Sequence, residues 1–124
     1  MESQSHQNFT ELEVWQKARE LKKEVELVVK GFPPEEKFRM TDQLLRSVRS
    51  INANIAEGHG RFTYKDQLHF CIQARGSISE TLNHLIDAFD SGYLSKEQLV
   101  HLKVQTDTVG KLLNGYISYL RKNL

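Results

Sequence analysis

Apolar residues recur every three or four positions along this chain, in four stretches set apart by its few helix breakers. Leu12, Trp15, Ala18, Leu21, Val25 and Val28 form the first stripe, and the spacing predicts a helix from about Glu11 to Lys30, stopped by Gly31. Leu44, Val48, Ile51 and Ile55 form the second. They predict a helix from about Glu36 to Glu57, closed by Gly58 as a left-handed residue just past its end. Thr63 is placed to cap a third helix, with Asp66 three residues on as an imperfect capping box. That helix reaches about Asp90, a length of about 40 Å at 1.5 Å per residue. Ser95-Lys96-Glu97-Gln98 reads as a capping box opening the fourth helix. Its seam, Leu99, Leu102, Thr106, Val109, Leu113, Tyr116 and Leu120, alternates three and four throughout.

Such a seam favours a shallow left-handed crossing, and connections this short make sequential helices antiparallel neighbours. The expected fold is therefore all-α: an antiparallel up-down-up-down four-helix bundle with left-handed twist, occupying residues 11–124 behind a flexible segment 1–10. Its expected core includes Trp15, Leu21, Leu44, Val48, Ile51, Ile78, Leu82, Leu85, Leu113 and Leu120. There is no strand signal, repeat or low-complexity tract.

A second line runs along the second helix. Gln43, Arg46, Ser50, Ala53 and Glu57 share a heptad spacing roughly opposite the apolar stripe, and a helix with two organised faces usually touches two partners. Ser50 and Ala53 are small enough for close approach, and Arg46 and Glu57 lie near the ends of the line. On the third helix, Ala74, Gly76 and Ser77 form a small-residue patch; Gly in mid-helix costs about 1 kcal/mol relative to Ala, which close packing would offset. From the residues alone, contacts within one bundle and contacts between subunits explain these lines equally well. Asn54, Glu57 and Glu80 have a structural polar reading, as groups that fix how the second and third helices meet.

Composition adds limits. The 124 residues fit one domain and carry a formal charge of +1, so there is no global basic signal of a dedicated nucleic-acid binder. The distribution is uneven: residues 1–36 hold 8 acidic and 5 basic side chains, and residues 37–75 hold 7 basic and 3 acidic. In that basic middle, Arg39, Arg46 and Arg49 share a broad face of the second helix, and Arg61 and Lys65 flank the start of the third. The segment Gly60-Arg61-Phe62-Thr63-Tyr64-Lys65 is suited to holding a phosphate, with His59 adding charge when protonated. The plainer reading of each of these charges is solvated surface or ion pairing. Phe62 and Tyr64 are core anchors in the common case for aromatic residues beside a turn, and base-stacking surfaces in the other.

Enzyme chemistry finds little support. Di-iron bundles use Glu-x-x-His pairs, and here no Glu has a His three residues on; Asp66/His69, Glu80/His84 and Glu97/His101 do not make two equivalent half-sites. Gly58-His59-Gly60 lacks the rest of a dinucleotide or P-loop motif. No cofactor or metal set is indicated. Cys71, the only cysteine, reads as a small buried hydrophobe. The polar amino terminus and the lack of a long apolar run point to a cytoplasmic protein that does not enter membranes.

One stretch carries a resemblance. Asn54-Ile55-Ala56-Glu57-Gly58, preceded by Gln43-Leu44, Arg46 and Ser50-Ile51 and followed by Gly60-Arg61, resembles the signature of the 23S rRNA intervening-sequence proteins, usually called four helix bundle proteins. Val14-Trp15-Gln16-Lys17-Ala18, Phe32-Pro33, Glu36, Phe70, Ala74, Gly76-Ser77, Glu80 and Gly92-Tyr93-Leu94 extend the likeness across nearly the whole chain. Many members place two consecutive basic residues where this chain has Leu45-Arg46 and a neutral residue where it has Arg49, so a role for the basic pair transfers only to Arg46. The resemblance implies a four-helix bundle, assembly into a ring-shaped homopentamer and association with RNA. With it, Arg46, Ser50, Ala53, Glu57, Ala74, Gly76 and Ser77 are the expected subunit contacts, and Arg39, Arg46, Arg49, Arg61 and Lys65 the expected RNA or single-stranded DNA contacts. The expected function is that of a non-catalytic oligomeric protein. The alternatives are a structural or protein-docking ring without nucleic-acid binding, with a protein partner, and a metal-dependent bundle enzyme.

Overall fold

A computed structural model describes residues 8–124. Of the segment expected to be flexible, residues 1–7 lie outside the described residues. Asn8 to Thr10 are structured: the Thr10 backbone N–H donates to Asn8 Oδ1 at 3.0 Å, and the Phe9 ring meets Trp15 edge-on at 5.3 Å.

Four α-helices follow, α1 (Glu13–Val28), α2 (Met40–His59), α3 (Tyr64–Asp90) and α4 (Lys96–Lys122). They pack as an all-α bundle. Short 3-10 turns at Phe9–Glu11, Val29–Gly31 and Pro34–Glu36 occupy the approaches to α1 and α2. The second helix starts four residues later than its pattern suggests. Pro34–Glu36 forms a separate turn, and Arg39, at φ −122° and ψ −101°, lies outside helical backbone. Both N-caps read from sequence are present: Thr63 Oγ1 accepts from the Asp66 backbone N–H, and Ser95 and Gln98 form a reciprocal capping box.

Gly58 does not end α2. It lies inside the helix, which continues to His59 and is capped by Gly60 at φ −80°. Its missing side chain serves close packing instead: a Cβ there would stand 2.9 Å from the Cβ of Phe70 and 3.2 Å from the Gln67 carbonyl oxygen. Left-handed backbone occurs at Gly92, with φ +82°, where α3 turns towards α4. There the Tyr93 N–H donates to the Ala88 carbonyl at 2.9 Å and the Gly92 N–H to that of Phe89 at 3.0 Å, the paired bonds of a Schellman ending.

The core runs through all four helices, with Ala18, Leu21, Val25, Leu44, Val48, Ile51, Ile55, Leu85, Val109, Leu113 and Leu120 fully buried. Two expected core residues fall short. Trp15 is half-buried and packs on the margin of the core, and Leu82 is half-buried beside fully buried Thr81 and Leu85. Direction is visible in paired contacts: Ser47 meets Thr81 and Ser50 meets Ser77, Trp15 meets Asn52 and Glu26 meets Arg49, and Tyr64 at the start of α3 meets Tyr119 at the end of α4. Each pairing joins helices that run in opposite directions.

Candidate functional site

The α2–α3 contact is lined by small hydroxyl residues. Ser47 Oγ and Thr81 Oγ1 lie 2.9 Å apart, as do the hydroxyls of Ser50 and Ser77. Asn54 Nδ2 donates at 3.0 Å to both the carbonyl and the hydroxyl of Ser50. Thr81 Oγ1 lies within hydrogen-bond distance of the Ser77 carbonyl oxygen too, at 2.8 Å, so its one proton has two acceptors in reach. Small side chains let the backbones approach, and each hydroxyl has a partner, so the seam avoids the cost of an unpaired buried polar group. Asn54 thus ties α2 to α3 through Ser50. Glu57 instead pairs with Arg61 at 2.7 Å, and Glu80 is exposed and faces His84 at 3.3 Å.

Of the residues expected at a subunit contact, Ala74 and Ser77 are buried inside the bundle, where their small size serves the α2–α3 seam. Ser50 is half-buried in the same seam; Arg46, Ala53, Glu57 and Gly76 are exposed. Among the described residues, nothing beyond its own helix backbone and chain neighbours lies within 4 Å of a Cβ added to Gly76, so no close packing among them explains that glycine. Ile72 and Ile86 share its helix face and are 39% and 40% exposed.

The expected nucleic-acid contacts separate into paired and unpaired groups. Arg39 donates to the Glu35 carbonyl and lies 4.0 Å from Glu36. Arg46 pairs with Asp42 at 2.9 Å, Arg49 with Glu26 of α1 at 3.1 Å, and Arg61 with Glu57. The Arg61 guanidinium also stands over the Phe70 ring at 4.6 Å. The α2 arginines therefore do not form an uncompensated basic face. Among the described residues, Lys65 has no carboxylate within 4.0 Å, and the same holds for Arg121 and Lys122 at the end of α4.

Next to Lys65 the turn is strongly aromatic. Phe62 is 98% exposed, so it is not a core anchor. Tyr64, 40% exposed, meets Tyr119 edge-on with ring centroids 6.2 Å apart. Tyr119, 51% exposed, lies parallel to Tyr116 at 6.5 Å and 9°. Hydrogen bonding to Tyr64 raises the Tyr119 phenol above its usual range, and burial pushes Tyr116 up to about 12. Cys71 is buried, and burial likewise pushes its thiol up to about 11. Sequence reading missed the tyrosine cluster because Tyr64 and Tyr119 are 55 positions apart; the only signal was that Tyr119 lies off the apolar seam of α4.

Other sites are weak. Trp15, Gln16, Arg19, Glu20 and Lys23 line an open trough on α1. Asn52 Nδ2 donates to the Trp15 carbonyl at 3.1 Å, while its buried Oδ1 and that of Gln105 Oε1 have no partner among the described residues. No three His, Cys, Asp or Glu residues converge as metal ligands among the described residues, and none of the described helices is long and apolar enough to cross a membrane.

The comparisons with known proteins agree with this architecture. The chain is similar to a Bacteroides thetaiotaomicron protein of unknown function from the S23 ribosomal protein family, known from a crystal structure. The TM-score is 0.78 at 28% identity, covering 84% of this chain and 97% of that one. No curated protein matches. The family model for 23S rRNA-intervening sequence proteins matches residues 10–115, from the first 3-10 turn to the last third of α4. The chain belongs to the 23S rRNA-intervening sequence protein family.

Proposed function

We propose that this protein is a non-catalytic, self-associating bundle, a homopentamer by its family resemblance, that associates with RNA or single-stranded DNA. The observation that carries the nucleic-acid reading is the α2–α3 turn, where Phe62 projects almost wholly into solvent beside Arg61 and Lys65. An exposed aromatic ring costs solubility unless it is covered, and cations beside it suit a polyanion carrying flat apolar bases. The family's link to a 23S rRNA intervening sequence favours RNA. The paired α2 arginines become secondary contacts, since each must leave or share a carboxylate to reach a phosphate. Repetition of one unpaired lysine around a ring supplies the positive surface that a net charge of +1 does not.

Self-association is supported by the exposed small residues. Ala53 on α2 and Gly76 on α3 are exposed close to the Ser50–Ser77 contact, and Ile72, one turn before Gly76, and Ile86, further along the same face, add apolar surface. A neighbouring subunit packed there would offset the helix cost of Gly76. Ala53→Arg or Gly76→Leu is expected to reduce the assembled mass in light scattering, and a monomeric wild type at micromolar concentration refutes self-association. Arg61→Glu with Lys65→Glu is expected to weaken binding and flatten its salt dependence without changing helicity or mass, because fewer counterions are released. No retention of RNA or DNA in a low-salt gel shift refutes the nucleic-acid reading and moves the protein-docking ring to first place.

A further inference from the structure

The tyrosine cluster joins the start of α3 to the end of α4, and two of its three tyrosines lie beyond the residues that the family model matches. The match ends at residue 115; Tyr116, Tyr119, Arg121 and Lys122 follow it. This pair of helix ends sets Tyr64 against Tyr119, with Phe62 two residues before Tyr64; all three rings are exposed by 40% or more, with Lys65 next to Tyr64 and Lys122 one helical turn beyond Tyr119. Burial does not explain the rings, since Leu113, Ile117 and Leu120 already fill the core at this end of α4.

From this arrangement we infer that the α3–α4 end of the bundle binds single-stranded nucleic acid in preference to duplex, with unpaired bases stacking on Tyr119 and Phe62 and phosphates held by Lys65 and Lys122. The inference rests on the nucleic-acid reading above and gives it a site and a strand state. Bases in a duplex are stacked on one another and offer no free face, whereas an unpaired base has two. Tyr116 backs Tyr119 in parallel, and Tyr64 contacts it edge-on. Tyr119 is therefore already held in place before a base arrives, which lowers the ordering cost of binding. Charge favours a polyanion: among residues 57–69 and 116–124, Glu57 and Arg61 pair with each other, which leaves Lys65, Arg121 and Lys122 against Asp66.

The test uses the full-length protein with a fluorescently labelled 12-nucleotide oligoadenylate and a 12-base-pair RNA duplex, read by anisotropy at low salt. Wild type is expected to bind the single strand more tightly than the duplex. Tyr119→Ala is expected to weaken single-strand binding about 5- to 150-fold, the effect of losing one base–aromatic stack. Tyr119→Phe keeps the ring and is expected to bind like wild type. Tyr119 is half exposed, so neither change should disturb the core; circular dichroism and light scattering on the same samples check this. If wild type binds both ligands and Tyr119→Ala leaves both affinities unchanged, the inference is overturned while the nucleic-acid reading stands. If Tyr119→Ala lowers the assembled mass, the cluster is a contact between copies of the chain and the inference is overturned. If wild type binds neither ligand, both readings fail together.

Discussion

Gly58→Ala isolates one physical effect. An interior helical glycine replaced by alanine normally gains about 1 kcal/mol, because the unfolded chain loses freedom and the helix does not. At position 58 the added methyl would stand 2.9 Å from the Phe70 Cβ and 3.2 Å from the Gln67 carbonyl oxygen. Neither atom is the free end of a side chain. Phe70 Cβ moves only with α3, and the carbonyl oxygen is part of its backbone. Overpacking of this kind costs about 1–3 kcal/mol, so after the gain in propensity the net expectation is a loss of about 0–2 kcal/mol. Gly115→Ala in α4 is the matched control, because among the described residues nothing beyond its own helix backbone and chain neighbours lies within 4 Å of an added Cβ; it is expected to stabilise by about 0.5–1 kcal/mol. Urea unfolding followed by circular dichroism, repeated at several protein concentrations to separate folding from association, measures both. A Gly58→Ala protein as stable as the Gly115→Ala protein would refute the close approach of α2 and α3.

Leu85→Ala, at a fully buried position, is expected to cost about 2–5 kcal/mol in the same melts; Leu82→Ala should cost clearly less, and equal losses would contradict the placement of Leu82. Thr81→Val keeps the shape but removes a hydroxyl from the seam with Ser47, and is expected to cost about 1–2 kcal/mol. The raised phenols give a pH expectation. A phenol whose folded pKa lies above its unfolded value stabilises the fold below about pH 10, and this contribution is lost as pH rises through the folded value. Tyr116, at about 12, therefore predicts falling stability between about pH 10 and 12, a fall that Tyr116→Phe should lessen. Cys71 is expected to react with a thiol reagent at neutral pH only in denaturant; rapid labelling of the folded protein would contradict its burial.

The apolar periodicity carried most of the fold, because a helix repeating every three or four residues has only one way to bury its stripe. The caps at Thr63 and Ser95 were legible for a similar reason, being local bonds between residues three apart. Gly58 was misread because a glycine near a helix end looks the same whether the chain turns there or another helix presses against it; only the position of Phe70 on α3 decides. Among the candidate contacts, the pairing of Arg46 with Asp42 and of Arg61 with Glu57 follows from a four-residue spacing visible in the sequence. Arg49 with Glu26 joins different helices and needed the fold. The tyrosine cluster needed it too, since its members come from opposite ends of the α3–α4 hairpin.

The turns at the other end of the bundle also touch. The Tyr93 hydroxyl donates to Glu36 Oε2 at 2.9 Å, and the other oxygen of the same carboxylate accepts from the Met40 N–H at 3.4 Å. The chain between Glu36 and Tyr93 holds all of α2 and α3, so this bond turns a hairpin open at one end into a closed loop. The entropy of closing that loop is lost once, when the bond forms, and grows only slowly with length. The latch is chemically one-sided. Its donor is a phenol, and the bond to Glu36 raises that phenol above its usual range. In strong alkali it loses its proton and faces the carboxylate as a second negative charge, so the loop should open first at Tyr93.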